Sequence, residues 1–167
     1  MLRTASLVTQ CLAAGLLGLM AGFFFAFASD VVPAMAQLDA TTYVVMQQWI
    51  NRVVRNAAFG SVYFGSAVLP FVAAAVVWSA GGRKSAVAWL LVALAYFGAV
   101  FWITRTVNVP INNELAGWNA ASPPATWQQA RDAWNEANLV RSVAAIVCFA
   151  CALVLLATSG KPTRNGA

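Results

Sequence analysis

Four apolar stretches, each long enough to cross a bilayer, constrain this 167-residue chain more than any other feature. They run roughly over residues 7–28, 57–79, 85–104 and 140–158, and a hydrocarbon core of about 30 Å takes ~20 helical residues to span. Lipid offers a backbone no hydrogen bonds, so a spanning segment is either a helix or a strand of a closed barrel. The runs here are continuous rather than alternating, which leaves the helix. The expected fold class is therefore all-α, a four-helix transmembrane bundle with structured outer loops at residues 29–56 and 105–139, forming one integral membrane domain over 1–167. Charged residues make up only 9% of the chain, against about 25% in soluble domains, so the lipid bilayer is its expected solvent.

The first stretch could also be read as a signal peptide, because Arg3 precedes it and Ala26-Phe27-Ala28 stands before Ser29. Its apolar region is about twice the 7 to 15 residues of a signal peptide, so the segment is expected to be retained. Charge then orients the bundle. Arg3, Arg83, Lys84, Lys161 and Arg164 fall on the side of both termini with no acid among them, which places the termini in the cytoplasm, at the plasma (inner) membrane. All the acids, Asp30, Asp39, Glu114, Asp132 and Glu136, fall on the other side beside Arg52, Arg55, Arg105, Arg131 and Arg141. The net charge of +5 does not point to nucleic acid, since the basic residues are few and scattered. Trp78, Trp89 and Trp102 stand near span ends, where interfacial tryptophans are expected.

Gly81 and Gly82 make a tight hairpin between spans two and three. Residues 40–56 read as a helix leading into span two without a breaker. Span three is expected to end before Pro110, because proline disfavours a helical residue in front of it. Ser122-Pro123-Pro124 reads as a cap and first turn of a helix that continues into span four. The tail 160–167 is expected to be disordered. Ala14, Gly18 and Gly22, with Ala57, Ser61 and Gly65, form small-residue ridges that suit close helix packing and leave room for a homo-oligomer.

One segment gathers polar chemistry. At about 100° per residue, Trp127, Arg131, Trp134, Asn138 and Arg141 share a sector of roughly 80°. Such a face could hold a flat aromatic ligand by stacking while cations and amides meet its oxygens; it could equally be an aromatic belt with arginines reaching for headgroups. Asn51, Arg55, Arg105, Asn108, Asn112 and Asn113 lie at the same depth on other helices, which makes a pocket for a hydrophobic aromatic small molecule the expectation. The asparagines also suit turns. The chain has no histidine, so imidazole ligation and a histidine base are absent and no metal site is expected. Cys148 and Cys151 form a Cys-x-x-Cys pattern inside span four, and with Cys11 they read as small core residues. No nucleotide motif or hydrolase elbow is present.

Several markers resemble the anthrone oxygenase-like family of small four-helix membrane proteins. They are Phe23 to Met35, Met46 to Asn56, the run Asn108-Val-Pro-Ile-Asn-Asn, and Trp134-Asn135 followed by Asn138 and Arg141-Ser142. The resemblance implies oxidation of an anthrone to an anthraquinone by molecular oxygen with no cofactor. For that chemistry the residues here suggest Arg105 and Arg141 for charge stabilisation, Asn112, Asn135 and Asn138 for oxygen contacts, Trp127 and Trp134 for stacking, and Asp30 as a candidate base, with Glu114 second. Some members carry a histidine where this chain has Leu139, so the implied mechanism here is histidine-free. Two other readings fit the residues: a non-enzymatic accessory or scaffold subunit using the outer Trp and Arg side chains as an interface, and a small proton-coupled exporter. The exporter is disfavoured because no acid or lysine lies inside a span.

Overall fold

The structure, a computed structural model, describes residues 2–159; the expected disordered tail lies outside the described residues. Among the described residues there are five helices. Four cross the membrane by length and composition: α1 (Leu2–Met35), α3 (Ala57–Ser79), α4 (Arg83–Ala116) and α5 (Trp127–Ser159). The fifth, α2 (Ala40–Val53), links α1 to α3 at the end of the bundle opposite the hairpin. No strand occurs among these residues, so the all-α four-helix transmembrane fold expected from the sequence is what forms.

The spanning helices form a square. α1 packs between α3 and α5, and α4 closes the other two sides. Lipid is as apolar as leucine, so the helices associate through close approach and hydrogen bonds rather than by leaving water. At Gly18 an added Cβ would stand 2.8 Å from the Phe149 ring of α5, and at Gly65 it would stand 2.6 Å from Leu16 of α1. Ser66 Oγ donates to the Leu16 carbonyl at 3.0 Å, and Ser142 Oγ donates to that of Phe24 at 3.2 Å. Gly22 and Ser61 do not share this role: nothing stands near a Cβ at Gly22, and Ser61 is exposed. The hairpin forms as expected, with Gly81 at φ +87° in the left-handed region that glycine tolerates.

Three expectations about where helices begin and end are corrected. Span three does not end before Pro110; α4 runs on to Ala116. The chain accommodates the proline with a widened π turn over Thr104–Asn108, in which the Val109 N–H donates to the Thr104 carbonyl five residues back. α1 uses the same device, with a π turn over Phe27–Val31 closed by Val32 N–H to the Phe27 carbonyl, just before Pro33. The widening relieves the clash between each ring and the carbonyl four residues earlier, whereas Pro70 sits inside α3 without such a turn. Residues 40–56 do not run into span two: α2 stops at Val53, and an extended Asn56 caps α3 by accepting the Phe59 N–H at 2.9 Å. Asparagine competes with a helical backbone and is favoured as a cap, so the break falls where it stands. The last helix starts at Trp127 rather than at the prolines, which sit in the preceding turns.

Because of the break, α2 can lie against the outer extension of α4. Gln48 Nε2 donates to the carbonyls of Leu115 and Trp118, both at 3.0 Å, which ties α2 to the end of α4; the Leu115 carbonyl also accepts the Trp118 N–H at 3.1 Å. Met35, Tyr43, Val44 and Leu115 form a small core there, separate from the main one. Asp39 starts α2 by accepting the Thr42 hydroxyl and N–H, and these bonds hold its carboxyl below the usual range.

Tryptophan placement divides. Trp78 is exposed near the end of α3, as expected; Trp102 is exposed but lies well inside α4, because that helix runs on to Ala116, and Trp89 is wholly buried and is not interfacial. Its Nε1 donates across the bundle to Gln10 Oε1 at 3.0 Å, a partner a buried indole needs. Cys11 is exposed rather than in the core, as is Cys151, while Cys148 is buried.

Candidate functional site

The widened turns, the α2–α3 break and the first half of α5 meet at the loop end of the bundle, around a cavity of ≈ 380 Å³. That volume lies within the usual range for small-molecule sites. Its apolar wall is largely aromatic, with Phe23, Phe24 and Phe27 from α1, Phe59, Tyr63 and Phe64 from α3, and Trp134 from α5. Polar groups interrupt them at Asn51, Arg55, Asn56, Thr104, Arg105, Asn112 and Arg141. Three of these are cations, and no carboxylate lines the cavity.

Arg141 is the most constrained of the three. It is 6% exposed. Its Nε and Nη2 donate to Asn138 Oδ1 at 3.2 and 3.0 Å, and Nη1 donates to Thr104 Oγ1 at 3.2 Å. Its Cζ stands 4.9 Å from the Phe24 ring centroid and 5.0 Å from that of Trp134, so two aromatic faces hold the cation. Thr104 is the first residue of the π turn of α4. Among the described residues the one ion pair is Arg131 with Asp132, so Arg141 is a buried charge without a counter-ion. A buried charge is costly unless paired, which makes the cavity receptive to a negative or strongly accepting oxygen.

Trp134 is oriented just as firmly. Its Nε1 donates to Asn112 Oδ1 at 2.8 Å, its carbonyl accepts Asn108 Nδ2 at 3.1 Å, and its ring packs on Phe27 at 5.2 Å. Asn108 and Asn138 therefore stand behind the wall as positioning residues. Three buried polar atoms at this end have no partner: Asn51 Nδ2, Gln47 Nε2 and Asn108 Oδ1.

Of the residues singled out from the sequence, Asn51, Arg55, Arg105, Asn112, Trp134 and Arg141 line one cavity. Asn113 is exposed beside it and accepts from Arg55 Nη2 at 3.1 Å. Others do not join them. Asp30, the expected base, is exposed and does not line the cavity, and the same is true of Glu114. Their helix positions turn them away from the bundle. Trp127 packs on Tyr43 at 5.4 Å and under Arg131 at 5.1 Å, in the small outer core. Asn135 is half-buried and does not line the cavity. The Trp-Arg stripe is thus split: its first half is structural, and its second half faces the cavity. Burial pushes the Tyr43 phenol up to about 12, so it stays neutral in that outer core.

Sequence reasoning missed Phe24, Phe27, Phe59, Tyr63 and Thr104. Hydropathy reads all of these as ordinary span residues. The signal that could have found them is the density of aromatics around Phe23–Phe27 and at Phe59, Tyr63 and Phe64.

Fold and site together define a four-helix integral membrane protein with an aromatic, cation-bearing cavity at one end. The family model described as anthrone oxygenase matches residues 55–151, more than half of the chain, and the chain belongs to that family. The match takes in Arg55, Arg105, Trp134 and Arg141; Phe24 and Asn51 come from helices that lie before it. No curated protein and no solved structure matches the chain.

Proposed function

We propose that this protein is a membrane-embedded, cofactor-independent oxygenase that converts the methylene of a flat, anthrone-type aromatic to a ketone. Family membership supports an oxygenase-like role. The observation that carries the specific reading is the buried, unpaired Arg141, clamped between Phe24 and Trp134 in an aromatic cavity.

An anthrone methylene is acidic because its conjugate base is an aromatic phenolate-type enolate. Arg141 has five N–H groups, and its hydrogen bonds to Asn138 and Thr104 leave donors free for a ligand oxygen. A cation held in a site of low polarity stabilises the enolate far more than it would in water. In the reaction the methylene gives up a proton, and its carbon forms a bond to dioxygen, which is reduced to the hydroperoxide level. Loss of water then breaks the O–O bond and leaves the ketone, so methylene plus O₂ yields ketone plus water. Trp134 and the phenylalanines hold the rings flat and keep out water. Neither Asp30 nor Glu114 is given a step.

Arg141→Gln tests the reading. With an anthrone substrate in lipid nanodiscs, quinone formation followed by absorbance is expected to fall about 100-fold. Undiminished turnover would remove Arg141 from the chemistry. The scaffold alternative draws on the exposed apolar face of α2, where Trp49 and Val53 are 54% and 65% exposed. A stoichiometric partner recovered in mild detergent, with no ligand binding, would replace the oxygenase reading.

We also place both termini in the cytoplasm at the plasma membrane, on the basic residues Arg3, Arg83 and Lys84 at that end of the bundle. A cysteine introduced between Asn113 and Ser122 should then react with an impermeant thiol reagent added to intact cells. Protection there would invert the topology.

A further inference from the structure

Two of the cavity's three cations, Arg55 and Arg105, are not used by the reaction. Arg55, at the α2–α3 break, lines the cavity and is anchored by one bond, from Nη2 to Asn113 Oδ1. Four residues earlier, Asn51 also lines the cavity; it is 7% exposed, and its Nδ2 has no partner. A buried amide donor left open costs stability unless something accepts from it. Arg55 brings N–H donors and positive charge to the cavity, Asn51 stands one turn before it with a buried amide that lacks an acceptor, and no carboxylate lines the cavity to neutralise the cation. An oxyanion is the ligand chemistry that meets both needs.

Its distance from the reacting end is set by α4. Arg141 is tied to Thr104 and Arg55 to Asn113, nine residues, or between about two and three turns, apart on one helix. The space between is walled by aromatic rings. We infer that Asn51 and Arg55 form a second anion subsite that holds a carboxylate on the substrate, at the opposite end of the ring system from the oxygen that Arg141 receives. Resting on the oxygenase reading, this assigns the substrate class as a flat polycyclic phenol bearing a carboxylic acid. The acid gives the substrate a fixed orientation, so that only one edge of the ring system reaches Arg141.

The test compares a dihydroxyanthraquinone with its carboxylic-acid derivative, each titrated into the full chain in phosphatidylcholine nanodiscs and read by quenching of tryptophan fluorescence. The acid is expected to bind at least about tenfold more tightly. Arg55→Gln, at an exposed position where the fold loses little, should bring the ratio close to one, and Asn51→Ala should bring it part of the way. Equal affinities in the unmodified protein overturn the subsite, as does a ratio that survives Arg55→Gln. Loss of co-purifying phospholipid from Arg55→Gln with the ratio unchanged would give the arginine to a lipid headgroup phosphate instead. If neither compound binds, the oxygenase reading falls and the subsite with it; if both bind equally, only the subsite falls.

Discussion

At the hairpin and terminal end of the bundle, Ser6, Gln10 and Trp89 form a closed set. Gln10 Nε2 donates to the Ser6 carbonyl and hydroxyl at 3.2 and 3.1 Å, and its Oε1 accepts the Trp89 indole. All three residues are buried, and no atom of theirs is left over. At the loop end the same helices, joined by α2, leave Asn51 Nδ2, Gln47 Nε2 and Asn108 Oδ1 without partners and bury Arg141 without a counter-ion. A satisfied buried network rigidifies a fold, and an unsatisfied one costs it stability. The difference teaches where each kind of work is done: polarity at the terminal end holds helices together, while at the loop end Arg141 and Asn51 line a cavity with no counter-ion and no acceptor among the described residues.

The contrast can be broken at either end. The largest effect is on turnover, where Arg141→Gln should remove about two orders of magnitude while the thermal unfolding midpoint moves little. Trp89→Phe should do the reverse. It leaves the buried Gln10 Oε1 unpaired at a cost of about 1–3 kcal/mol, read as a lower unfolding midpoint in nanodiscs, with turnover per folded molecule unchanged. If Trp89→Phe abolished turnover at full stability, the separation of ends would be wrong. The smallest effect sharpens the packing that joins the two ends. Gly18→Ala forces the Phe149 ring to move and should cost about 1 kcal/mol, whereas Gly22→Ala meets open space and should be neutral or gain a few tenths through helix propensity. Equal effects at both glycines would mean that the α1–α5 contact does not set the bundle spacing.

Much of the site was legible because polar residues are rare in a chain like this. Asn51, Arg105, Asn112, Trp134 and Arg141 stand out against an apolar background, and their shared depth pointed to one place. Trp127 and Asp30 stand out equally and go elsewhere. A helical wheel puts Trp127 and Trp134 in one sector, yet only α2 decides that the first faces Tyr43. Asp30 sits near the cavity in sequence, but its place on the π turn leaves it exposed. Phe24 and Tyr63 were invisible for a different reason. In lipid both the packed and the outward face of a helix are apolar, so hydropathy does not mark which side is buried.

By itself the sequence determined the number of spans, the tight turn at Gly81 and the concentration of acids and asparagines at one end, because each follows from local length, conformation or the cost of polarity in lipid. Only the tertiary structure decided that Pro33 and Pro110 sit inside continuous helices behind widened turns, that Asn56 breaks α2 from α3, and that Arg141 meets Thr104, Phe24 and Trp134 around a cavity. Those outcomes depend on which helices become neighbours. That is settled by groups such as Gly18, Ser66 and Ser142, whose worth exists only once a partner helix lies against them.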